Sequence, residues 1–532
     1  MRASRAWVVG GVVAMVAAAA LVAGVAAGPV VDGVARSAVA VSSGGSATPP
    51  VTASTGAAQR PAPSPSPALD ESQLLRIGNP ALYADETSPT TAGAGPTGLA
   101  WRQVFRTLTR YESGSLELRP DLATSWSMVS GGRTWMFHLA PGRTFQDGTP
   151  VDASAICANI DAWAEQGDHL GWDWYLSGND YLGCDAVEQT VTVRFEEGVA
   201  NLPHLFSEVS FSIVAPDSIG TDDPVGSGPY RYAGVQDGTI RLTAVDPGAA
   251  GPDVIEMVET STVSAAVSDL RAGRLDVVVG AAGDEMGGDT GVRRIVAAED
   301  TMTTVNLLAG GQRLRDPKVR RALVAALDPT ALSDLMGARP SLTLAPGVLG
   351  LGAYDHPGGG AAAARKLLKG SKVEPLVIGV GDTGEVDLEQ ARVVQRQFDR
   401  VGVSASISSA ADPDEFYEKL RAGRYDVTVE TFYADNLDPA EYVSGFDPRG
   451  AYRSLLPVAD RSEVEEMSDR TFAAGDPRSR RAGATVMLEK LVDTSVMVPI
   501  AGAPRADWVA ARVRSWPTGP FGIVDLAQVR LK

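Results

Sequence analysis

A chain of 532 residues is too long for one hydrophobic core, and its length predicts about three domains or lobes. Its hydrophobic content of 44% and aromatic content of 6% are typical of a soluble globular protein. The net charge of −18 argues against a surface that binds nucleic acid or an anionic membrane.

The N-terminus predicts export. Arg2 and Arg5 precede an apolar run that extends from Ala6 to Val31, broken only by Gly and Pro. This run is long enough to span a bilayer, so residues 1–40 are either a cleaved signal peptide or an uncleaved signal anchor. Val25 stands where a bacterial lipoprotein would need its modified cysteine, which excludes lipid attachment there. We therefore expect an extracytoplasmic protein, secreted or held at the cell surface.

A segment rich in Ser, Pro and Ala follows, over residues 41–71. Such a composition cannot bury a core and favours an extended, solvated chain. We predict a disordered linker that separates the folded body, from about Ser72 onward, from a membrane or cell wall.

The first part of the body alternates between helix and hairpin signals. Apolar residues from Trp101 to Leu108 recur at helical spacing. Two segments that alternate with period two, Ser125–Met128 and Thr134–Leu139, flank the Ser130–Gly132 turn and predict a β-hairpin.

The sequence has two cysteines, Cys157 and Cys184. Because exported proteins fold in an oxidising compartment, we predict a disulfide between them, with two separate buried thiols as the alternative. There is no CxxC motif and the four histidines are scattered, so no metal site and no cofactor are expected.

The second part of the body predicts an α/β fold. Strand-like and helical segments alternate between Leu376 and Val429, an order that implies a parallel sheet with right-handed crossovers. The sequence LRAGRYDVTV from Leu420 resembles LRAGRLDVVV from Leu270, 420 − 270 = 150 residues earlier. The repeat suggests two lobes with similar sheets, although coincidence in an Ala-, Gly- and Arg-rich chain is the alternative.

Several motifs in the right order resemble those of the family 5 extracellular solute-binding proteins, the oligopeptide-, dipeptide- and nickel-binding receptors of ABC importers. They are PDLATSW from Pro120, GGRTWMFHLAPGRTFQDGTPVDASA from Gly131, VGSGPY from Val225 and DPKVRRAL from Asp316. The resemblance implies an α/β, two-lobed periplasmic-binding-protein-like (type II) fold that closes about a hinge. It places lobe I at 72–304, lobe II at 305–496 and a segment returning to lobe I at 497–532.

The resemblance also implies a ligand site. The loop from Phe432 to Pro439 matches the family pattern in which an aspartate, here Asp435, pairs with the ammonium group of a peptide ligand. A turn-capping role for Asp435 is the alternative. Tyr433 and Phe432 would line a side-chain pocket or pack beneath the loop, and Asn436 would hydrogen-bond the ligand backbone.

An aromatic group at 172–175 could also face a ligand, although a structural role is favoured. No nucleophile or phosphate-binding motif supports an enzyme. We therefore expect a monomer that binds a small peptide or similar amine-bearing solute, delivers it to an ABC permease and does not bind nucleic acid. The alternatives are a receptor for a nickel chelate or glycolipid-like molecule, and a cell-envelope sensor or scaffold without a transport role.

Overall fold

The structure is a computed structural model. It describes residues 71–79, 82, 88–90, 95–112, 117–166, 172, 176, 181–281, 291–299, 301–336, 343–346, 349–381, 385–410, 413–433, 437–448, 451–502, 504–517 and 523–532. The predicted signal or anchor segment, and the linker up to residue 70, lie outside these ranges. Among the described helices, none combines the length and apolar character needed to cross a membrane.

The described strands belong to three larger sheets and two small ones. In chain order they are β1 (Leu74–Asn79), β2 (Thr109–Tyr111), β3 (Leu118–Pro120), β4 (Ala123–Val129), β5 (Thr134–Leu139), β6 (Tyr181–Val187), β7 (Thr190–Phe195), β8 (Tyr230–Gln236), β9 (Thr239–Ala244), β10 (Val254–Glu259), β11 (Val277–Ala281), β12 (Val292–Glu299), β13 (Thr301–Leu307), β14 (Leu376–Val380), β15 (Ala405–Ser409), β16 (Val427–Tyr433), β17 (Met497–Ala501), β18 (Pro504–Ala510), β19 (Val513–Ser515) and β20 (Arg530–Leu531).

The α-helices cover the faces and ends of these sheets. Those described are α1 (Pro96–Val104), α2 (Ala153–Gln166), α3 (Leu202–Leu205), α4 (Val263–Arg271), α5 (Pro317–Ala326), α6 (Pro329–Ser333), α7 (Gly360–Leu368), α8 (Glu385–Asp399), α9 (Pro413–Arg421), α10 (Pro439–Ser444), α11 (Val458–Ala473) and α12 (Pro477–Asp493). Asp316 caps α5, since its carboxylate accepts a hydrogen bond from the Lys318 backbone N–H.

The largest sheet has seven strands in the order β12-β18-β11-β1-β10-β9-β8. β1 lies parallel to both β10 and β11, whereas β18, from the C-terminal part of the chain, is antiparallel to β11 and β12. The inward side chains form one hydrophobic core with those of α1. The seven-stranded sheet therefore contains strands from both the N-terminal part (β1) and the C-terminal part (β18) of the described chain.

A four-stranded antiparallel sheet, β4-β5-β7-β6, has a separate core. The predicted hairpin is confirmed: β4 pairs with β5, with Trp126 opposite Phe137, and the connecting turn lies at Ser130–Gly132. Gly132 has a φ of +85°, and a Cβ there would lie 2.9 Å from the Val199 backbone, so this turn requires glycine. The predicted disulfide between Cys157 on α2 and Cys184 on β6 is present.

The third sheet has five strands in the order β15-β14-β16-β13-β17. The predicted parallel arrangement is confirmed for β14, β15 and β16, while β13 runs antiparallel to β16 and β17. This sheet and the helices α5 to α12 enclose a large core, and we call them lobe II. The seven- and four-stranded sheets with their helices, and the small sheet β2–β3 that precedes β4 in the chain, are lobe I.

The chain passes between the lobes twice, from β12 to β13 and from β17 to β18. The expected boundary at 304/305 falls within β13, and the one at 496/497 falls directly before β17. These two strands pair with each other, with Val305 opposite Val498. The segment Met497–Ala501 thus pairs in the sheet of lobe II, and the return to lobe I begins with Pro504. The composition of MVPIA suits a buried strand of either sheet, so it could not show which one.

Candidate functional site

Lobe II contacts lobe I directly after the predicted ligand loop. Leu437 is the first described residue after Asp435 and Asn436, and its backbone N–H donates a 3.0 Å hydrogen bond to the hydroxyl of Tyr111 on β2. Both residues are buried. The end of the loop is therefore held against lobe I by a specific polar contact.

Asp438 fixes the same segment within lobe II. Its Oδ1 accepts a 2.9 Å hydrogen bond from the Ala440 backbone N–H and so caps α10. Its Oδ2 accepts a 2.6 Å bond from Nε of Arg480 on α12. With both side chains almost completely buried, this is a charge-assisted pair that defines where the loop ends.

His204 of lobe I completes a chain of hydrogen bonds between the lobes. Its Nε2 lies 3.2 Å from Arg480 Nη2, and its Nδ1 lies 2.7 Å from the Tyr111 hydroxyl. A guanidinium only donates, so Nε2 must accept and the single ring proton of neutral histidine lies on Nδ1. Burial lowers the pKa of His204 to about 4, which agrees with a neutral ring.

A second polar contact joins the lobes nearby. Asn201, just before α3, donates from Nδ2 to Oε2 of Glu441 on α10 at 3.0 Å. The other carboxylate oxygen of Glu441 lies 3.1 Å from the hydroxyl of Ser444. The shorter hydrogen bond of the Ser444 hydroxyl, 2.6 Å, goes to the Glu441 backbone carbonyl. All three residues are buried, so the Asn201–Glu441 hydrogen bond is a polar contact between the lobes that is shielded from water.

A cavity of lobe I borders this contact. It is lined by α1, the segment that follows it, β2 and part of the C-terminal segment, with the charged side chains Arg102, Arg106, Arg110, Asp121 and Asp525. Tyr111, which receives the Leu437 hydrogen bond, forms part of the same wall. We call this cavity the arginine pocket.

Of the four predicted site residues, Phe432 and Tyr433 lie on β16, whereas Asp435 and Asn436 are outside the described residues. The side chain of Phe432 on β16 is 1% exposed and packs against Tyr442, Phe446 and Tyr452, which corresponds to the packing alternative for this residue. Tyr433 is the last residue of β16, and its side chain is outside the described part of the structure.

Asp435 and Asn436 also lie outside the described residues. Their role in ligand binding therefore stays a prediction. What the structure does describe is the two anchors of their loop, β16 on one side and the Leu437–Asp438 contact on the other.

Other candidates from the sequence have ordinary structural surroundings. Trp172 is buried against Tyr181 and Phe195, and the rest of the 172–175 group is outside the described residues. His138 lies at the surface on β5 beside Thr190. Within the described ranges, no group of three or more His, Cys, Asp or Glu side chains is arranged to hold a metal ion.

Neither the residues of the contact between lobes nor those of the arginine pocket were predicted from the sequence. Arg102, Arg106 and Arg110 recur every four residues, which would have indicated one basic stripe on a continuous helix. However, α1 ends at Val104 and Arg110 lies on a strand, so the chain turns between them. For His204 and Arg480, no sequence signal was available, because each depends on a partner in the other lobe.

Comparison with known proteins agrees with this architecture. The probable di/tripeptide-binding protein 5 of Pseudomonas aeruginosa (strain UCBPP-PA14) is 21% identical over 481 residues, which cover 80% of this chain and 89% of the relative. The nickel-binding periplasmic protein of Escherichia coli (strain K12) is 22% identical over 451 residues, 76% of this chain and 84% of the relative.

A solved structure, that of NikA from Brucella suis in complex with Fe(III)-EDTA, superimposes with a TM-score of 0.75 at 19% identity, covering 86% of this chain and all of that one. The two-lobed fold of periplasmic binding proteins is thus present here. The family model for bacterial extracellular solute-binding proteins, family 5 Middle, matches residues 117–452, more than half of the 532-residue chain. The chain belongs to the family 5 bacterial extracellular solute-binding proteins.

Proposed function

We propose that the protein binds a small peptide, or a similar amine-bearing solute, between its two lobes and delivers it to an ABC permease. The observation that carries the proposal is the contact between lobes at Leu437 and Asp438, directly after the loop of Asp435. It lies beside the arginine pocket of lobe I, so charged groups of both signs border the same region. The relative from Pseudomonas aeruginosa, named for di- and tripeptide binding, supports the choice of ligand.

In this proposal Asp435 pairs with the ammonium group of the ligand. A carboxylate in a closed, partly desolvated cleft forms a stronger hydrogen bond with a cation than an exposed ion pair does. Tyr433 and Asn436 contact the ligand from the same loop, and Phe432 supports the loop from within the core of lobe II. Binding involves no covalent step, so the protein acts as a receptor rather than as an enzyme.

The location follows from the same role. Residues 1–40 act as a signal peptide or membrane anchor and residues 41–71 as a tether, so that the body reaches its permease from outside the cytoplasm. We propose that the body works as a monomer, because the proposed cleft is built from the two lobes of a single chain.

The replacement Asp435→Ala tests the proposal. A complete dipeptide library is first incubated with the wild-type protein, and the retained peptides are identified by mass spectrometry. Titration calorimetry with the best-retained peptide should then show at least a tenfold loss of affinity in the variant, about 1.4 kcal/mol.

Asp222→Ala, at an exposed position of lobe I, serves as the matched control and should bind like the wild type. Equal affinity of wild type and Asp435→Ala would remove Asp435 from the site. If the library leaves no peptide on the wild-type protein, the peptide assignment itself is wrong.

A receptor for a metal chelate is the second candidate, because one relative is named a nickel-binding periplasmic protein. The described residues offer no cluster of metal ligands, so a chelate would have to bring most of its own donors. Calorimetry with a nickel–histidine chelate separates the two candidates: binding of the chelate, without retention of any library peptide, would favour the second.

A further inference from the structure

The lysines of the chain are concentrated on one part of lobe II. The sequence contains 47 Lys and Arg residues, of which only seven are lysines. Three of the seven, Lys366, Lys369 and Lys372, lie within residues 356–373, a segment that contains no Asp or Glu. In a chain with a net charge of −18, this basic segment is a local exception to the overall composition.

The fold adds basic residues from neighbouring helices to this segment. Lys366 is in the last turn of α7, and Lys369 directly follows that helix. In the first turn of α5, Nζ of Lys318 donates a 3.3 Å hydrogen bond to the Lys369 backbone carbonyl. Nη1 of Arg365 donates a 2.8 Å hydrogen bond to the backbone carbonyl of Arg400, which follows α8. We call this surface the lysine patch, and it consists of Lys318, Arg365, Lys366, Lys369, Lys372 and Arg400.

Carboxylates do not neutralise the cations of the lysine patch. None of its six side chains forms an ion pair with another described residue, and all except that of Lys318 are exposed. Two other lysines of the described chain do pair. Lys419 lies 2.9 Å from Glu415, and Lys490 lies 2.6 Å from Glu463. Exposed cations without carboxylate partners favour an anionic partner from outside the chain.

Three carboxylates lie close to the lysine patch in the sequence, and they do not cancel its charge. Asp316 caps α5 by accepting a hydrogen bond from the Lys318 backbone N–H. Glu374 lies 3.9 Å from Arg313, which is outside the patch, and Asp399 is exposed at the end of α8. Six cations and three carboxylates give this region a net charge of 6 − 3 = +3.

The lysine patch and the predicted ligand loop lie at opposite edges of the lobe II sheet. Lys372 shortly precedes β14 and Arg400 shortly precedes β15, so the patch is at the edge where these parallel strands begin. β16 is parallel to β14, and the predicted ligand loop follows its carboxyl end. A partner bound to the patch would therefore not compete with a solute for the same edge of the sheet.

The chain before the described structure indicates which anionic surface is near the body. Residues 1–40 are predicted to be a signal peptide or anchor, and residues 41–71 a linker that reaches lobe I at Ser72. A flexible chain of this length spans about 30 Å on average, so an anchored body stays close to the bilayer. Phospholipid headgroups are then present at a high local concentration.

Lysine is suited to a surface of headgroups. Its ammonium group is a compact charge on a flexible stem, whereas arginine is favoured where a planar anion is bound by paired hydrogen bonds. Clusters of basic residues are attracted to anionic headgroups within about one Debye length, roughly 10 Å at 0.1 M salt. The net charge of −18 argues against membrane binding by the protein as a whole, but it averages over faces that lie beyond this distance.

We propose that the lysine patch docks the body of the protein onto the anionic phospholipid headgroups of the membrane to which its N-terminus directs it. The ammonium groups of Lys366, Lys369 and Lys372 contact the headgroup phosphates. Docking through lobe II, together with a linker that enters through lobe I, restricts the orientation of the body at the membrane. The inference rests on the tethered, extracytoplasmic location in the proposed function and not on the identity of the solute.

The test measures how fast each lysine of the full chain is acetylated in the presence of vesicles. One set of vesicles contains phosphatidylcholine alone, and the other contains equal parts of phosphatidylcholine and anionic phosphatidylglycerol. By mass spectrometry, Lys366, Lys369 and Lys372 should react at least about threefold more slowly with the anionic vesicles, and high salt should remove the difference. Lys419 and Lys490 should react equally with both sets.

The triple variant K366Q/K369Q/K372Q tests the patch itself. Lys318 remains in this variant, and its protection by anionic vesicles should fall to less than about 1.5-fold, because the charge that docks the body is lost. K419Q/K490Q removes two lysines that are paired elsewhere and is the matched control, in which the patch should stay protected. Both variants should unfold at the wild-type midpoint and retain dipeptides like the wild type.

Equal acetylation of the patch lysines with both sets of vesicles would overturn membrane docking, whether or not dipeptides are retained. Protection by soluble polyphosphate, without protection by anionic vesicles, would overturn it as well and assign the patch to a soluble polyanion. Protection by anionic vesicles in a protein that retains no dipeptide would support docking and refute the peptide assignment alone.

Discussion

At the scale of single residues, His204 shows how the contact between lobes depends on protonation. Its Nε2 faces Arg480 and its Nδ1 faces the Tyr111 hydroxyl, while the Asp438 carboxylate lies 3.7 Å from Nε2. A second proton on the ring would have to be placed on Nε2, directly toward the guanidinium. The hydrogen-bond chain therefore exists only with the neutral ring.

We predict that the protein loses stability between about pH 6.5 and pH 4 through His204. The unfolded chain binds a proton near the ordinary pKa of 6.5, whereas the folded state does so only near the lowered pKa of about 4. Since the unfolded state binds more protons over this interval, the free energy of unfolding decreases as the pH falls, by up to about 3 kcal/mol. Above pH 7 both states are neutral at this position and the effect is absent.

Urea unfolding at a series of pH values measures this contribution. In His204→Gln the free energy of unfolding should decrease less between about pH 6.5 and 4 than it does in the wild type. The difference should equal the contribution of His204, up to about 3 kcal/mol. His138→Gln, at the surface of β5, should leave the decline unchanged. Parallel curves for wild type and His204→Gln would show that His204 does not titrate as its position implies.

At the scale of elements, the sequence repeat is a repeated structural unit. Gly273 and Gly423 both take positive φ after a helix, and Asp276 and Asp426 follow three residues later. Asp276 accepts a hydrogen bond from the Arg76 backbone N–H, and Asp426 accepts one from Val377 in the same way. Each aspartate thus ties the following strand to its parallel neighbour, which explains why the motif occurs once in each lobe.

Each of these buried aspartates also pairs with an arginine from elsewhere in its lobe. Arg512 lies 3.3 Å from Asp276, and Arg313 lies 2.9 Å from Asp426. The two copies therefore make equivalent contacts, which supports the interpretation of the repeat as one structural unit present in both lobes. The sequence alone indicated two similar sheets, but the partner arginines follow no shared spacing and could not be predicted.

The disulfide joins α2 to β6 within lobe I and gives a second prediction. Cys157 and Cys184 are 27 residues apart, so the bond removes a loop of this length from the freedom of the unfolded chain. We expect the double variant C157A/C184A to unfold with a free energy lower by about 3 kcal/mol in chemical denaturation. A reducing agent should lower the stability of the wild type by a similar amount and leave the double variant unchanged. Equal stability of oxidised wild type and double variant would contradict this role.

Local chemistry accounts for what could be predicted at this scale. Helix caps such as Asp316, turn glycines such as Gly132 and the alternation in β4 and β5 act over a few residues, so they are readable from the sequence. The contact between lobes, in contrast, joins residues that are far apart in the sequence. Tyr111 and Leu437 are 326 residues apart, and His204 and Arg480 are 276 apart, so nothing local marks any of them.

At the scale of the whole molecule, two passages of the described chain join the lobes, and polar contacts such as these lie between them. Two covalent passages form a hinge, and contacts away from them determine how strongly the closed arrangement is favoured. The pair Asn201–Glu441 is well suited to test whether such contacts favour the closed arrangement. It joins the two lobes and includes no residue that is proposed to bind the ligand.

We predict that Asn201→Asp disfavours the closed arrangement. The change replaces an amide donor, 3.0 Å from a Glu441 oxygen, by a second carboxylate in a buried position. Repulsion between the two carboxylates should lower the population of the closed state. Hydrogen exchange should report this at the Leu437 amide, whose bond to Tyr111 exists only when the lobes are in contact, with protection reduced at least tenfold.

The double variant N201D/E441Q separates repulsion from a general loss of packing. In it the amide and carboxylate exchange places, so a hydrogen bond between the lobes can form again with the opposite polarity. Protection of the Leu437 amide should return to near the wild-type value, and E441Q alone should have a smaller effect than N201D. If the double variant exchanges as fast as N201D, charge repulsion is not the cause, and the Asn201–Glu441 pair does not control how the lobes meet.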